Sequence, residues 1–140
     1  LKNAARVFMS PTKHLVIPSP TYGDPAGFAQ NVLNYTVKSA PVNDKTLKTE
    51  LAALLPLVKG AGMVYICNPN NPTSTINSAQ ELKHLIAEVK KTSPTTAVLI
   101  AIGGLIRRVL SPSRHQAPSS ARVIELPCTC TALYHSRTSA

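Results

Sequence analysis

The chain has no tryptophan and only two Phe and four Tyr in 140 residues, so it has few of the aromatic platforms on which single-stranded nucleic acid stacks. No apolar run reaches the roughly 18 to 20 residues that a membrane helix needs, and the opening "LKNAARVFMS" lacks the apolar stretch of a secretory signal; a cytoplasmic address is the default expectation. The chain opens on Leu1 rather than Met, in what reads as mid-helix, which suggests a missing beginning. Cysteine is scarce and odd in number: Cys67, Cys128 and Cys130 argue against a disulfide scaffold. "CTC" with His135 falls short of the four well-spaced ligands of a closed zinc site, so no metal is expected.

Acidic residues are also few, and the formal net charge is +9. The lysines are scattered through residues 2 to 91, mostly at positions that read as solvated helix faces, rather than gathered into a patch. A non-catalytic basic module that binds nucleic acid or an acidic partner is therefore the second of two readings. Apolar residues make up 44%, enough for one domain that hides roughly two-thirds of its unfolded surface.

The composition changes near residue 100. Residues 1 to 100 carry nine Lys, one Arg and five acids, whereas residues 101 to 140 carry five Arg, no Lys and the single acid Glu125. The later part mixes Ser, Pro, Arg and Thr without a sustained period of 2 or 3.6 and reads as an irregular C-terminal tail.

The first hundred residues alternate helix signals with short apolar runs. "LKNAARVFM" reads as the end of a helix and "HLVIP" as a strand. In "DPAGFAQNVLNY" Asp24 stands at a cap, Pro25 in the first turn, and Phe28, Val32 and Tyr35 on one stripe. "YTVKSAPV" reads as strand, and "NDKTLKTELAALLPLV" as a helix capped by Asp44, with Leu47, Leu51, Leu54 and Leu55 buried until Pro56 stops it. "MVYIC" is rich in β-branched and aromatic residues, as a strand buried on both faces should be. Ser78 and Glu81 form a capping box ahead of a stripe of Leu82, Leu85, Ile86 and Val89, and "TAVLIAI" closes the series as another buried strand. Helices alternating with strands, without hairpin turns, imply crossovers and a mostly parallel sheet covered on both faces.

Directly after "MVYIC" come two Asn-Pro pairs, Asn68-Pro69 and Asn71-Pro72. Ligands of parallel sheets bind beyond the carboxyl ends of the strands, where this loop should lie. Proline fixes its own φ and keeps the residue before it extended, so Pro69 and Pro72 stiffen the loop. An Asn carboxamide held there both donates and accepts, and can orient a flat polar ligand.

The string "NPNNPTS" resembles the "NPNNPTG" signature of the class I and II aminotransferases of pyridoxal-phosphate fold type I, closest to the histidinol-phosphate aminotransferase branch. The resemblance implies that Asn71 hydrogen-bonds the phenolic oxygen of pyridoxal 5'-phosphate. It also implies that Tyr22, in "PSPTYGDP", stacks on the cofactor's pyridine ring; an aromatic face suits a flat cationic heterocycle. Ser74 departs from the family's glycine at the loop's tightest turn.

The resemblance covers about residues 1 to 100 and implies an α/β fold: part of a three-layer α/β/α large domain, followed by the irregular tail of residues 101 to 140. An intact relative would move an amino group between an amino acid, or a histidinol-phosphate-like amine, and a 2-oxo acid, with a site completed in a homodimer. The family's catalytic carboxylate would end the strand after the capped helix, where this chain has Ala101, and the tail holds no Lys to carry the cofactor's aldehyde. No catalytic residue is assigned, Arg107 and Arg108 read as solvated, and the chain alone is expected to be inactive. A slip of reading frame near Ile100 would account together for the new composition, the lost Asp and the lost Lys.

Overall fold

The computed structural model describes residues 1–102 and, by backbone alone, residues 122–126 and 131–135. Four parallel strands form its centre: β1 (His14–Ser19), β2 (Val37–Pro41), β3 (Ala61–Cys67) and β4 (Ala97–Ala101). The helices between them are α1 (Lys2–Phe8), α2 (Asp24–Asn31), α3 (Leu51–Leu54), continued by a 3-10 turn (Leu55–Leu57), and α4 (Ala79–Thr92). The strand order β2-β1-β3-β4 puts β1 beside β3, with all three pairings parallel. No described helix is long and apolar enough to cross a membrane.

Alternation along the strands builds two cores. Leu15, Ile17, Met63, Tyr65, Cys67 and Leu99 face α1 and α2, while Val16, Val64, Ile66 and Val98 face α3 and α4 through Leu54, Val58, Leu85 and Val89. That is the three-layer arrangement expected, with β3 buried along all seven residues. α1 packs on α2 with Lys2 and Arg6 over the Phe28 ring, 5.8 and 5.1 Å from its centroid. The β1–β3 register shifts between His14 and Leu15, opposite Gly62, and the carboxyl end of α1 comes down on that glycine.

The structure differs from the sequence reading in three places. α3 is one turn rather than a long helix, because Asn43, not Asp44, organises the segment before it: Asn43 Oδ1 accepts from the Lys45 and Thr46 amides and Leu47 turns left-handed at φ 55°. Leu47 is accordingly exposed instead of buried. α2 ends at Asn31, which leaves Val32 exposed, and its N-cap is Gly23 with Asp24 as the first helical residue.

The third difference lies in the tail, which is not irregular throughout: β5 (Arg122–Leu126) and β6 (Thr131–His135) extend the sheet antiparallel, β6 against β4 and β5 against β6. Both runs are rich enough in β-compatible residues to pair with a free strand edge, even without an extended period. Arg107, Arg108, Cys128 and Cys130 lie outside the described residues, as does the His135 side chain.

Candidate functional site

β1 and β3 are neighbours, so the loops leaving their carboxyl ends lie side by side. The first, residues 20 to 23, carries Tyr22, and the second, residues 68 to 77, carries Asn71. They are stitched together by Asn70. Its side chain accepts from Thr21 Oγ1 at 2.7 Å and donates to the Pro20 carbonyl oxygen at 3.0 Å and to Thr73 Oγ1 at 2.8 Å. Asn70 is 2% exposed, so its burial is compatible with folding only because these bonds are made. The polar chain continues from Thr73 to Thr75, whose hydroxyl donates to the Leu47 carbonyl oxygen, and so reaches the loop after β2.

The two prolyl asparagines divide the work. Asn68 is inward and structural: its carboxamide donates to the Asn77 carbonyl oxygen and accepts from the Asn77 amide, at 3.0 and 2.8 Å, and its own amide donates to the Ala101 carbonyl oxygen. This ties the loop to the start of α4, where the expected capping box of Ser78 and Glu81 is present in full. Asn71 is exposed, and among the described residues no hydrogen bond engages its carboxamide. All three X-Pro bonds of these loops, Ser19-Pro20, Asn68-Pro69 and Asn71-Pro72, are cis. Ser74 sits at φ 56°, the left-handed conformation for which glycine is the usual residue.

Tyr22 is 39% exposed, with its hydroxyl donating to Asp24 Oδ2 at 2.8 Å. That bond, with the carboxylate's charge, raises the pKa of the Tyr22 phenol above its ordinary value. Beneath the loops lies Tyr65 of β3, fully buried, its hydroxyl without a hydrogen-bond partner among the described residues. Burial pushes its pKa up, with smaller contributions from Cys67, Tyr22 and Asp24. The Cys67 thiol in turn donates to the Pro69 carbonyl oxygen.

An exposed aromatic ring and an exposed carboxamide, on adjacent loops at the carboxyl edge of a parallel sheet, suit a flat polar ring better than an elongated or purely apolar ligand. They fit the ring-facing part of a pyridoxal-phosphate site. Ala101, which stands where the resemblance implies the family's carboxylate, lies opposite Cys67 in the β3–β4 register. Sequence reasoning placed Tyr22 and Asn71 at this edge but missed Asn70 and Thr21, which precede them and hold the loops together; a buried asparagine in the middle of "NPNNP" gives no composition or period signal.

The profile of the family described as "Aminotransferase class I and II" matches residues 1–97. The chain is 35% identical over 88 residues to a histidinol-phosphate aminotransferase of Limosilactobacillus fermentum, covering 62% of this chain and 24% of that one. It is 30% identical over 122 residues to the corresponding protein of Leuconostoc mesenteroides, covering 86% and 33%. Among solved structures, one from Erwinia carotovora atroseptica, named as a candidate histidinol-phosphate aminotransferase, superposes with a TM-score of 0.60 at 28% identity, over 72% of this chain and 28% of that chain. Cystalysin of Treponema denticola, whose structure contains pyridoxal 5'-phosphate, shares the fold with a TM-score of 0.59 at 17% identity, over 71% and 34%. The chain thus spans a quarter to a third of the length of the curated relatives it matches. These findings favour the transaminase reading over the basic binding module, and with the match running through most of its length the chain belongs to the class I and II aminotransferases.

Proposed function

We propose that this chain supplies the ring-facing part of a pyridoxal 5'-phosphate site within an aminotransferase large domain, residues 1 to 100. The Tyr22 ring would stack on the cofactor and the Asn71 carboxamide would hydrogen-bond its phenolic oxygen. The observation that carries this reading is the Asn70 bridge, which holds the Tyr22 and Asn71 loops together at the carboxyl edge of β1 and β3. When bound, the cofactor supplies an aldehyde on an electron-withdrawing ring, through which an amino group passes between an amino acid and a 2-oxo acid.

The chain's own residues bind and orient. Tyr22 offers a flat face with its hydroxyl anchored on Asp24. Asn71 offers a donor that no described residue claims. Neither can hold the aldehyde or move a proton on the substrate, and we assign no catalytic residue. The whole protein's activity would be amino-group transfer involving a histidinol-phosphate-like amine in amino-acid biosynthesis, carried out by a cytoplasmic homodimer without a nucleic-acid or membrane partner. The tail after Ile100 would be a frame-shifted product. Sequencing across codon 100 tests this, with an Asp-x-Ala-Tyr pattern expected in a shifted frame and no family-like translation in any frame the result against it.

Pyridoxamine 5'-phosphate is the better probe of the site, because its amine cannot react with surface lysines as an aldehyde does. By equilibrium dialysis it should bind the unaltered chain, and Tyr22→Ala and Asn71→Ala should each weaken it by about tenfold, the loss of roughly one ring contact or one hydrogen bond. Equal affinity in all three would refute the assignment. Transamination by the chain alone should be absent.

A further inference from the structure

We infer that Asn70 and Thr21 form a clasp that sets the spacing between the Tyr22 ring and the Asn71 carboxamide, so that Asn70 is a positioning residue for the bound ring. The part of this inference that concerns the ring rests on the cofactor reading above; the coupling of the two loops does not.

The argument begins with adjacency. Thr21 is the residue before Tyr22 and Asn70 the residue before Asn71, so each clasp member is one peptide unit from the group it would place. A backbone of fixed length transmits the position of one residue to the next with little slack. Asn70 holds the first loop at two points, the Thr21 hydroxyl and the Pro20 carbonyl oxygen, which resists rotation as well as separation.

It also holds its own loop. Its amide donates to the Thr75 carbonyl oxygen at 2.8 Å, its carbonyl oxygen accepts from the Ser74 amide at 2.7 Å, and its side chain donates to Thr73. Every bond-forming group of Asn70 is therefore used within these two loops. The outward residues differ: Asn71 is exposed and Tyr22 partly so. Buried, fully bonded groups behind exposed, ligand-facing ones are the arrangement that fixes a binding geometry before the ligand arrives.

The bond that can be removed with least disturbance is the one from Thr21, because Thr21→Val keeps the side-chain shape and deletes the hydroxyl. Amide hydrogen exchange on the full chain then reads the loops directly. The Asn70 and Ser74 amides, which lie in the other loop, should exchange about tenfold faster in Thr21→Val, while amides of β3 and α4 keep their rates. Pyridoxamine 5'-phosphate should bind about tenfold more weakly, the melting temperature should fall by several degrees because Asn70 Oδ1 loses its partner, and Thr21→Ser should restore exchange, binding and melting temperature.

Unchanged exchange at Asn70 and Ser74 would overturn the clasp, and loosened exchange with undiminished affinity would overturn the positioning role of Asn70. Binding to none of the variants nor to the unaltered chain, with exchange still accelerated, would uphold the coupling of the loops and overturn the cofactor reading. Should Thr21→Val fail to fold, Thr21→Ala gives the same comparison.

Discussion

Gly62 of β3 lies directly against the carbonyl of Phe8: a Cβ at position 62 would overlap the Phe8 carbonyl oxygen and come within 3.0 Å of Met9 Cα. Both neighbours are backbone, so neither can swing aside. Gly62→Ala should cost about 3 kcal/mol, the upper part of the range for overpacked sites, and lower the melting temperature markedly. Gly23→Ala, where nothing lies within 4 Å, is the control and should change stability by less than about 1 kcal/mol. Equal melting temperatures for the two would show that α1 does not sit on β3 as described.

Ser74 adopts the left-handed conformation at φ 56° while its amide closes the loop on Asn70. That conformation costs a residue with a Cβ about 1 kcal/mol or more, and the extra freedom of an unfolded glycine offsets about half of it. Ser74→Gly should therefore stabilise the chain by roughly half a kcal/mol, a rise of about 2 to 4 °C in melting temperature. Ser74→Ala, which keeps the Cβ, should give no gain.

Glu81 closes the capping box with Ser78 and also pairs with Lys48, whose Nζ lies 2.6 Å from Oε1. The Lys48 bond, followed by the bonds to Ser78, lowers its pKa from the ordinary 4.5 to about 2. A carboxylate depressed by folding contributes stability that is fully present above pH 4.5 and is lost as pH falls toward 2. Melting curves between pH 6 and about pH 2 should show this loss, and in Glu81→Gln the decline over that window should be shallower. An identical slope would mean that Glu81 is not held by these partners.

Position 101 offers a gain-of-binding experiment. Ala101 is half-buried against the core cluster that contains Tyr65 and Cys67, and its carbonyl oxygen accepts from the Asn68 amide, so a side chain there lies close to the candidate site. Ala101→Asp should bind pyridoxamine 5'-phosphate about tenfold more tightly, because a carboxylate there would favour a protonated pyridine nitrogen. Without the ligand the same variant should be less stable by about 1 kcal/mol through desolvation of the new charge. Loss of stability without a gain in affinity would put residue 101 away from the ring.

The parts of the fold that were readable in the sequence are those whose signals are local and redundant. α4 announces itself through both its capping box and its apolar stripe, and β3 through an uninterrupted buried run. α3 is shorter than its sequence pattern implies because the apolar spacing of Leu47 and Leu51 imitates one helix, while the Asn43 side chain, competing for the Lys45 and Thr46 amides, turns the chain first. The position of the Tyr22 and Asn71 loops at the sheet edge was legible from the strands before them; the parts played by Asn70 and Tyr65 were not, since what distinguishes them is the burial of polar groups, one bonded and one without a partner among the described residues. Such properties arise only when distant segments meet.

The placement of β1 next to β3, with β2 on the outer side, has a temporal consequence. Thr21 and Asn70 lie 49 positions apart, and the bond between them cannot form until β2, α3 and β3 have left the ribosome and docked. Closure of these two loops is then a report on assembly: a nascent chain that ends within β3 already owns part of a hydrophobic interior but has not yet joined the two edges.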